Sequence, residues 1–545
     1  MNKNSGIILI NPPLWYYQSV PVDLIYAAFQ FNLYKIDIDV RDLNLEFLKF
    51  YFNKQNKDVF TCLNTDEFFD IQNLRTCYLE IEKIFQAITQ SVSPSKIDIN
   101  YFEIKEDIRR LSYLENIICN AAENPYIEFY ESIMPSLLNQ DTKFIAFSVY
   151  HPDQIVPLLT IAKIIKQYSN TIKIHLFGNL EDQINTKMLF KDMQHSTKIK
   201  LSKYIDSVSI GESHSHLVEI YKESVNSNVN EADVKIYMFE GKEIFDLDDI
   251  TLKCLPKSNF MPKDILNITM STGCYWNKCS YCSIHTHSIY RKSSVNSIIK
   301  MLKYVADSGL YSIVRFRDSC LHPHILSKIA DEILDKNIKI NWSCRVRFER
   351  GFNRELFLKL RDAGCLMLSF GIESFHPIVN KNMNKGVDVN KSVEILKECF
   401  KSDIAVKLTA IYEYPTETYE DTIYNLNKLK EVGEYCVDIK INKFILFNNS
   451  EIALKQEQYG IQKLPFDDEQ DLRYFCDYIK KDEDDQYKKQ DIQKRVENFN
   501  ASFNKFISEE HLLLYLEKYG LKKCMGYIFD FPDTTNSFRE VSHVT

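Results

Sequence analysis

The chain has 545 residues, 45% hydrophobic and 26% charged, ordinary values for a folded protein of two to four domains that buries its cores without staples. Lys+Arg 67 against Asp+Glu 75 leaves a net charge of −8, which argues against a general basic grip on nucleic acid. No apolar stretch approaches the roughly 20 residues of a membrane span. The opening Gly6–Ile10 run is too short for a signal sequence and meets Asn11-Pro12-Pro13. The chain therefore reads as cytoplasmic, with no membrane partner, and its 14 cysteines do not read as a disulfide scaffold in a reducing compartment.

In chain order, apolar runs predict strands at Ile7–Ile10, Ile36–Val40, Phe144–Val149, Ile172–Phe177 and Ile205–Ile210. Phe144–Val149 is almost continuously apolar, as in a parallel sheet covered on both faces. Between the last runs Ile155, Leu158, Leu159, Ala162 and Ile165 recur at helical spacing. Strand–helix alternation of this kind indicates an α/β, doubly wound (Rossmann-like) domain over residues 1–225, with a helical insertion at about 50–141. Ligands of such sheets bind beyond the strands' carboxyl ends, here the loops at Asn11-Pro12-Pro13, Tyr150-His151, Gly178-Asn179 and Gly211-Glu212-Ser213.

Residues 226–263 read as a strand-poor connector. A second alternation, over 264–463, predicts strands at Leu266–Met270, Ser312–Phe316, Ile338–Ser343, Leu366–Phe370, Ile404–Ile411 and Val437–Ile445. Asp388 is placed to cap one intervening helix, and Thr418 with Asp421 forms a capping box before another. Six βα units predict a partial (β/α)6, TIM-like barrel, reactive at its strands' carboxyl ends. Residues 464–545 read as a helical C-terminal extension, and its charge run Lys480–Lys494 as a solvated helix face.

Eleven cysteines are scattered; Cys274, Cys279 and Cys282 lie together after the first strand of the second alternation. Four thiolates close a cluster for electron transfer, whereas three leave one iron of a four-iron cluster open. The alternative is a zinc knot completed by His285 or His287, in a binding or scaffold protein without catalytic activity. Position at a barrel strand end favours iron and sulfur.

With these cysteines come several phrases in order: Ile10-Asn11-Pro12-Pro13, Ile210-Gly211-Glu212, Phe316-Arg317-Asp318, Trp342-Ser343-Cys344-Arg345, Phe370-Gly371-Ile372-Glu373-Ser374, Asn384-Lys385-Gly386 and Tyr414-Pro415-Thr416-Glu417-Thr418. In them the chain resembles the radical SAM superfamily, and within it the proteins with an N-terminal cobalamin-binding domain, over about residues 5–450. Four residues rather than three separate Cys274 from Cys279, and the paired glycines of the cobalamin phrases are Gly178-Asn179 and Gly211-Glu212-Ser213-His214 here.

The resemblance implies that Cys274, Cys279 and Cys282 hold a 4Fe-4S cluster whose fourth iron binds S-adenosylmethionine. It places Tyr281, Asp318, Arg345, Glu373 and Ser374 around that cofactor. Arg345 could equally pair with Glu349, Asp318 could cap the helix after it, Tyr281 could be loop packing, and Glu373 and Ser374 could be structural hydrogen-bonding groups. Asn11, Pro12, Tyr150, His151, Gly178, Gly211 and Glu212 would line cobalamin, with His151 more simply a turn residue than a cobalt ligand. The implied activity is cobalamin-dependent methylation of an unactivated carbon in a peptide or small-molecule natural product, fed by an electron donor such as flavodoxin or ferredoxin. The alternative within the family is epimerisation, cyclisation or rearrangement without cobalamin.

Overall fold

The computed structural model describes residues 6–14, 19–55, 60–97, 102–103, 107–178, 190, 193–211, 214–226, 233–239, 249–257, 262–284, 289–467, 469–480, 486–503 and 509–529. Two compact units form: Met1–Thr272 with Phe466–Tyr474, and Gly273–Pro465 with Phe475–Thr545.

The first unit's strands are β1 (Ile7–Asn11), β2 (Asp39–Asp42), β3 (Phe144–Ser148), β4 (Lys173–Phe177), β5 (Ser207–Gly211) and β6 (Lys235–Phe239), of which β1, β3 and β5 are buried throughout. They pair in the order β2-β1-β3-β4-β5-β6, every pair parallel. From β1 the chain steps to one side for β2 and then to the other for β3, so a crevice opens between the β1 and β3 loops. The helix Ile155–Tyr168 covers the sheet with Ile155, Leu158, Leu159, Ala162 and Ile165 buried. Helices Phe60–Asn64, Ile71–Ser91, Leu111–Ile117 and Tyr126–Leu137 occupy the insertion. Inside the sheet His175 is fully buried, its Nδ1 2.8 Å from Ser207 Oγ and its Nε2 2.7 Å from Ser209 Oγ. Burial drives its pKa down to about 3, so it is a neutral bridge between strands.

β6 lies in the expected connector. Its residues are half-buried, with Met238 exposed, so it lacks the buried run that marks β3 or β4. Strands β2 and Asn341–Val346 begin three residues after the expected Ile36 and Ile338 for one shared reason. A left-handed residue, Lys35 or Asn337, ends the preceding helix. The next amide, of Ile36 or Ile338, then bonds back to Phe31 O or Ile333 O. Both isoleucines are thus the apolar residues of a helix-terminating motif rather than strand starts.

The strand expected at Leu266–Met270 is β7 (Asp264–Ile268), within the first unit's residues. The second unit contributes β8 (Tyr311–Leu321), β9 (Asn341–Val346), β10 (Cys365–Glu373), β11 (Ala405–Tyr412) and β12 (Asp438–Lys443), all parallel in spatial order β12-β11-β10-β9-β8. Helices separate them, as in a portion of a (β/α) barrel. Asp388 caps the helix Val389–Lys401 through the Asn390 and Lys391 amides, and Thr418 with Asp421 makes the capping box of Tyr419–Val432. Phe316, Trp342, Cys344, Val346, Leu368, Phe370, Val406 and Leu408 form the apolar face under the helices.

The C-terminal extension contains α1 (Gln486–Phe503), which lies along β12. Asn500 receives the Ile441 amide on Oδ1 and donates Nδ2 to the Ile441 carbonyl, both at 2.9 Å. The side chain thus occupies backbone groups that an edge strand leaves open. No helix among the described residues is long and apolar enough to cross a membrane.

Candidate active site

The cysteine loop is held from both ends and from below. Ser280 donates its amide to Met383 O at 3.0 Å and exchanges a hydrogen bond with the Tyr414 hydroxyl at 2.9 Å. Trp276 donates Nε1 to Asn384 O at 2.9 Å, and its ring lies where a Cβ on Gly386 would be. Gly386 has φ +68°, so both the close approach and the backbone ask for glycine. The Arg347 guanidinium sits 4.3 Å from the Trp276 ring centre and donates to Lys385 O at 2.6 Å and to Glu349 at 3.2 Å.

The thiols share one electrostatic environment. Cys274 is brought down to about 6, chiefly by the neighbouring Cys320 thiol against the effect of burial, then by the Asn277 and Trp276 amides and Arg347. Burial pushes Cys279 up against the pull of Lys385 and Arg347. Cys282 is pushed up to about 12 by burial and by Cys279, with Cys274 adding to it. Cys279 thus feels Cys274, Cys282 feels both, and two cations, Arg347 and Lys385, face the group. Among the described residues no three His, Cys, Asp or Glu side chains are placed to hold a metal ion. A four-iron cube offers a separate iron to each thiolate, so three coupled cysteines beside cations fit it without converging on one point. His285 and His287, the alternative zinc ligands, lie outside the described residues.

Beside the thiols a buried chain of polar groups runs from Tyr281 to Glu373. Lys385 Nζ stands 2.9 Å from Glu373 Oε1 and 3.1 Å from the Tyr281 hydroxyl. Burial lowers the lysine's proton affinity, but Glu373 and Cys279 outweigh it and the net shift is upward. Glu373 ends β10 at φ +62°, a left-handed backbone rare for its residue type. A Cβ on Gly371 would collide with the Glu373 carboxylate, so this glycine makes room for the ion pair. Ser374 is engaged in the following turn, accepting from the His376 amide at 3.1 Å.

Arg345 reaches across to β8, with Nε 3.1 Å from Asp318 O and Nη2 2.6 Å from Arg317 O; the arginine that meets Glu349 is Arg347. Asp318 is buried within β8, and the helix Pro323–Asp335 is capped by His322 instead. Arg347 and Lys385 are the site residues that sequence reasoning left out. Arg347 is two positions beyond Arg345, and Lys385 is the centre of Asn384-Lys385-Gly386.

In the first unit Gln154 ties the β1 and β3 loops together. It donates to Pro12 O at 3.2 Å and accepts from the Tyr150 amide at 2.8 Å. Asn11 donates to Asp42 at 3.0 Å, while its own Oδ1 is buried and without a hydrogen-bond partner among the described residues. His151 caps the turn Pro152–Gln154, with Nδ1 3.4 Å from the Asp153 amide. Gly178 and Gly211 have φ +139° and +92°, and a Cβ on either would collide with the Val149 or Phe239 carbonyl of the adjacent strand. Glu212, with Asn179, lies outside the described residues.

Comparison with known proteins matches residues 268–429 to the family model of the radical SAM superfamily. A ribosomal protein uS12 methylthiotransferase from Sulfurihydrogenibium is 25% identical over 222 residues, 38% of this chain and 50% of that protein. An uncharacterized methyltransferase from Pyrococcus horikoshii is 25% identical over 158 residues, 28% of this chain and 34% of the other. The aligned part thus spans half or less of these relatives. In fold, the radical S-adenosylmethionine methyltransferase TsrM from Kitasatospora setae, solved with cobalamin and a [4Fe-4S] cluster, matches with a TM-score of 0.55 at 12% identity over 93% of this chain and 90% of its own. The cobalamin-dependent S-adenosylmethionine radical enzyme OxsB matches at 0.53 and 12% identity, over 98% of this chain and 71% of its own. Members of the superfamily use a four-iron cluster and S-adenosylmethionine, and residues 268–429 of this chain form a radical SAM domain.

Proposed function

We propose that the chain is a cobalamin-dependent methyltransferase acting on an unactivated carbon of a peptide or small-molecule natural product. The observation that carries this reading is the fold likeness to TsrM and OxsB, which extends over 93% and 98% of the chain and so takes in the first unit's sheet. When bound, the cluster and S-adenosylmethionine supply a radical able to remove a hydrogen atom from carbon, and cobalamin supplies a methyl group.

The chain's own residues then have separate tasks. Cys274, Cys279 and Cys282 hold three irons, and Arg347 and Lys385 offset the negative charge of thiolate ligation. Arg345 and Asp318 at the β8–β9 ends, with Glu373, Ser374 and Tyr281, orient S-adenosylmethionine; a guanidinium fork suits its carboxylate. In the first unit, Asn11, Pro12, Tyr150 and His151 border the crevice that would take cobalamin, with Gly178, Gly211 and Glu212 on the next loops. The orphaned Asn11 Oδ1 at that crevice fits a ligand bearing amide donors, as cobalamin's side chains do.

The test is anaerobic reconstitution of the full chain with iron, sulfide and hydroxocobalamin. Retention of cobalamin through gel filtration, and formation of both 5′-deoxyadenosine and S-adenosylhomocysteine, is the expected result. The first product without the second, and no retained cobalamin, defeats methyl transfer and leaves epimerisation, cyclisation or rearrangement. A second reading, methylthio transfer, follows from the relative named for that activity. It expects a second cluster, about eight irons per chain rather than four.

A further inference from the structure

Beyond the barrel's last strand the chain makes a short antiparallel ladder, Ile461–Lys463 against Tyr478–Lys480, with the Leu464 amide on Asp477 O at 2.8 Å. The segment that this ladder closes off does not stay with the second unit. Phe466–Tyr474 belongs to the first, so the C-terminal half lends the first unit a strap.

Two kinds of contact fix the strap there. Its carboxylates meet cations and amides: Arg110 donates to Asp467 and Glu469, and the Asp471 and Leu472 amides bond Arg109 O at 2.9 and 3.0 Å. Asp471 is 7% exposed, and its carboxylate accepts from the Leu111 amide at 3.1 Å, the Thr197 hydroxyl at 3.0 Å and Lys200 Nζ at 3.1 Å. A buried carboxylate with three donors is satisfied only while all of them stay in place. Beside it Leu472, 1% exposed, lines a small apolar cavity with Val149, Ile155, Phe190 and Leu201.

The groups held in this way sit at the carboxyl ends of two strands. Val149 and Ile155 flank the turn after β3, in which Gln154 reaches Pro12 O and the Tyr150 amide. Phe190, Thr197, Lys200 and Leu201 follow β4. Ligands of a doubly wound sheet bind against the loops after its strands. We infer that Phe466–Tyr474 is a latch that fixes the loops after β3 and β4, so that residues of the C-terminal half govern how long the first unit keeps its ligand, with Asp471 as the positioning residue. This rests on the reading above, in which that ligand is cobalamin, and adds the means of its retention. Opening the latch frees the two loops and leaves the sheet, which has its own ladder, in place.

The test uses the full-length chain. Without cofactor, hydrogen exchange read by mass spectrometry should run about tenfold faster over residues 150–159 and 193–201 in Asp471→Ala, the size of one charge-assisted hydrogen bond, while β1 and β3 stay protected. Thr197→Val removes one donor and leaves the strap's own sequence intact; it should act in the same direction and less. Asp471→Asn keeps an acceptor for Leu111 and Thr197 and should restore part of the protection. In the iron-loaded chain hydroxocobalamin should leave about tenfold faster from Asp471→Ala than from the parent, with 5′-deoxyadenosine formation unchanged. Exchange unaltered in both Asp471→Ala and Thr197→Val, protection lost across β1 and β3 as well, or cobalamin release unaffected by Asp471→Ala overturns the inference. If the parent chain retains no hydroxocobalamin, the cobalamin reading fails, and the exchange pattern alone decides the latch.

Discussion

Glycine does different work at the two sheets. Beyond β4 and β5, Gly178 and Gly211 are glycine because the adjacent strand's carbonyl fills the space a Cβ would need, and His151 is occupied in capping a turn. Around the cysteines, Gly371 admits the Glu373–Lys385 pair and Gly386 admits the Trp276 ring. The first pair reports on sheet geometry and would be required with or without a ligand. The second makes room for side chains that face the thiols. A fold that matches cobalamin proteins is therefore weaker testimony than a loop whose neighbours are arranged around a function.

The comparison breaks most sharply at the cysteines. Cys279→Ala should abolish iron retention and 5′-deoxyadenosine formation, while circular dichroism shows both sheets intact; retained iron would mean that the loop is not the cluster's seat. Next in size, Lys385→Met strands Glu373 in a buried setting. It should cost about 3–5 kcal/mol of stability, read as a lowered denaturation midpoint. An unchanged midpoint would show that the pair is hydrated and not structural.

On the first unit's side the sharpest probe is pH. Burial raises Asp42 from 3.8 to about 7, against the hydrogen bonds from Asn11 and the Leu45 and Asn44 amides. Its folded value lies above its unfolded one, so the protonated form's contribution is complete below about pH 4 and is lost as pH rises through 7. Asp42→Asn, which keeps the capping oxygen, should remove a slope of up to about 1.4 kcal/mol per pH unit across that range. His175 acts oppositely: with its pKa lowered from 6.5 to about 3, stability falls as pH drops below 6.5. Thermal melts between pH 4 and 8 separate the two, and an unaltered profile in Asp42→Asn would assign the slope elsewhere. Smallest, Gly386→Ala should cost about 1–3 kcal/mol through backbone strain and loosen Trp276. It should speed iron loss to a chelator, whereas Gly178→Ala should destabilise the protein without that effect.

The strands buried on both faces, such as β3 and β4, were legible because nothing else explains such short, buried and mostly apolar runs. The half-exposed β6 was not, and Ile36 and Ile338 looked like strand starts because the helix ends that use them also want an apolar side chain. The cysteine triad stood out by its spacing, and reading it as an iron–sulfur seat also needed its place after a barrel strand. Arg347 and Lys385 were not, because their value lies in partners that only the fold supplies: Trp276 and the Lys385 carbonyl for one, Glu373 and Tyr281 for the other. The phrase around Lys385 and the face shared by Arg345 and Arg347 were the available hints.

The paired hydrogen bonds from Asn500 to Ile441 bear on solubility. A chain shortened before Gln486 would expose β12 along its length, and an open strand of that kind recruits a second copy. Self-association of such a truncation, relieved by restoring α1, would show that part of the extension's purpose is to keep molecules apart.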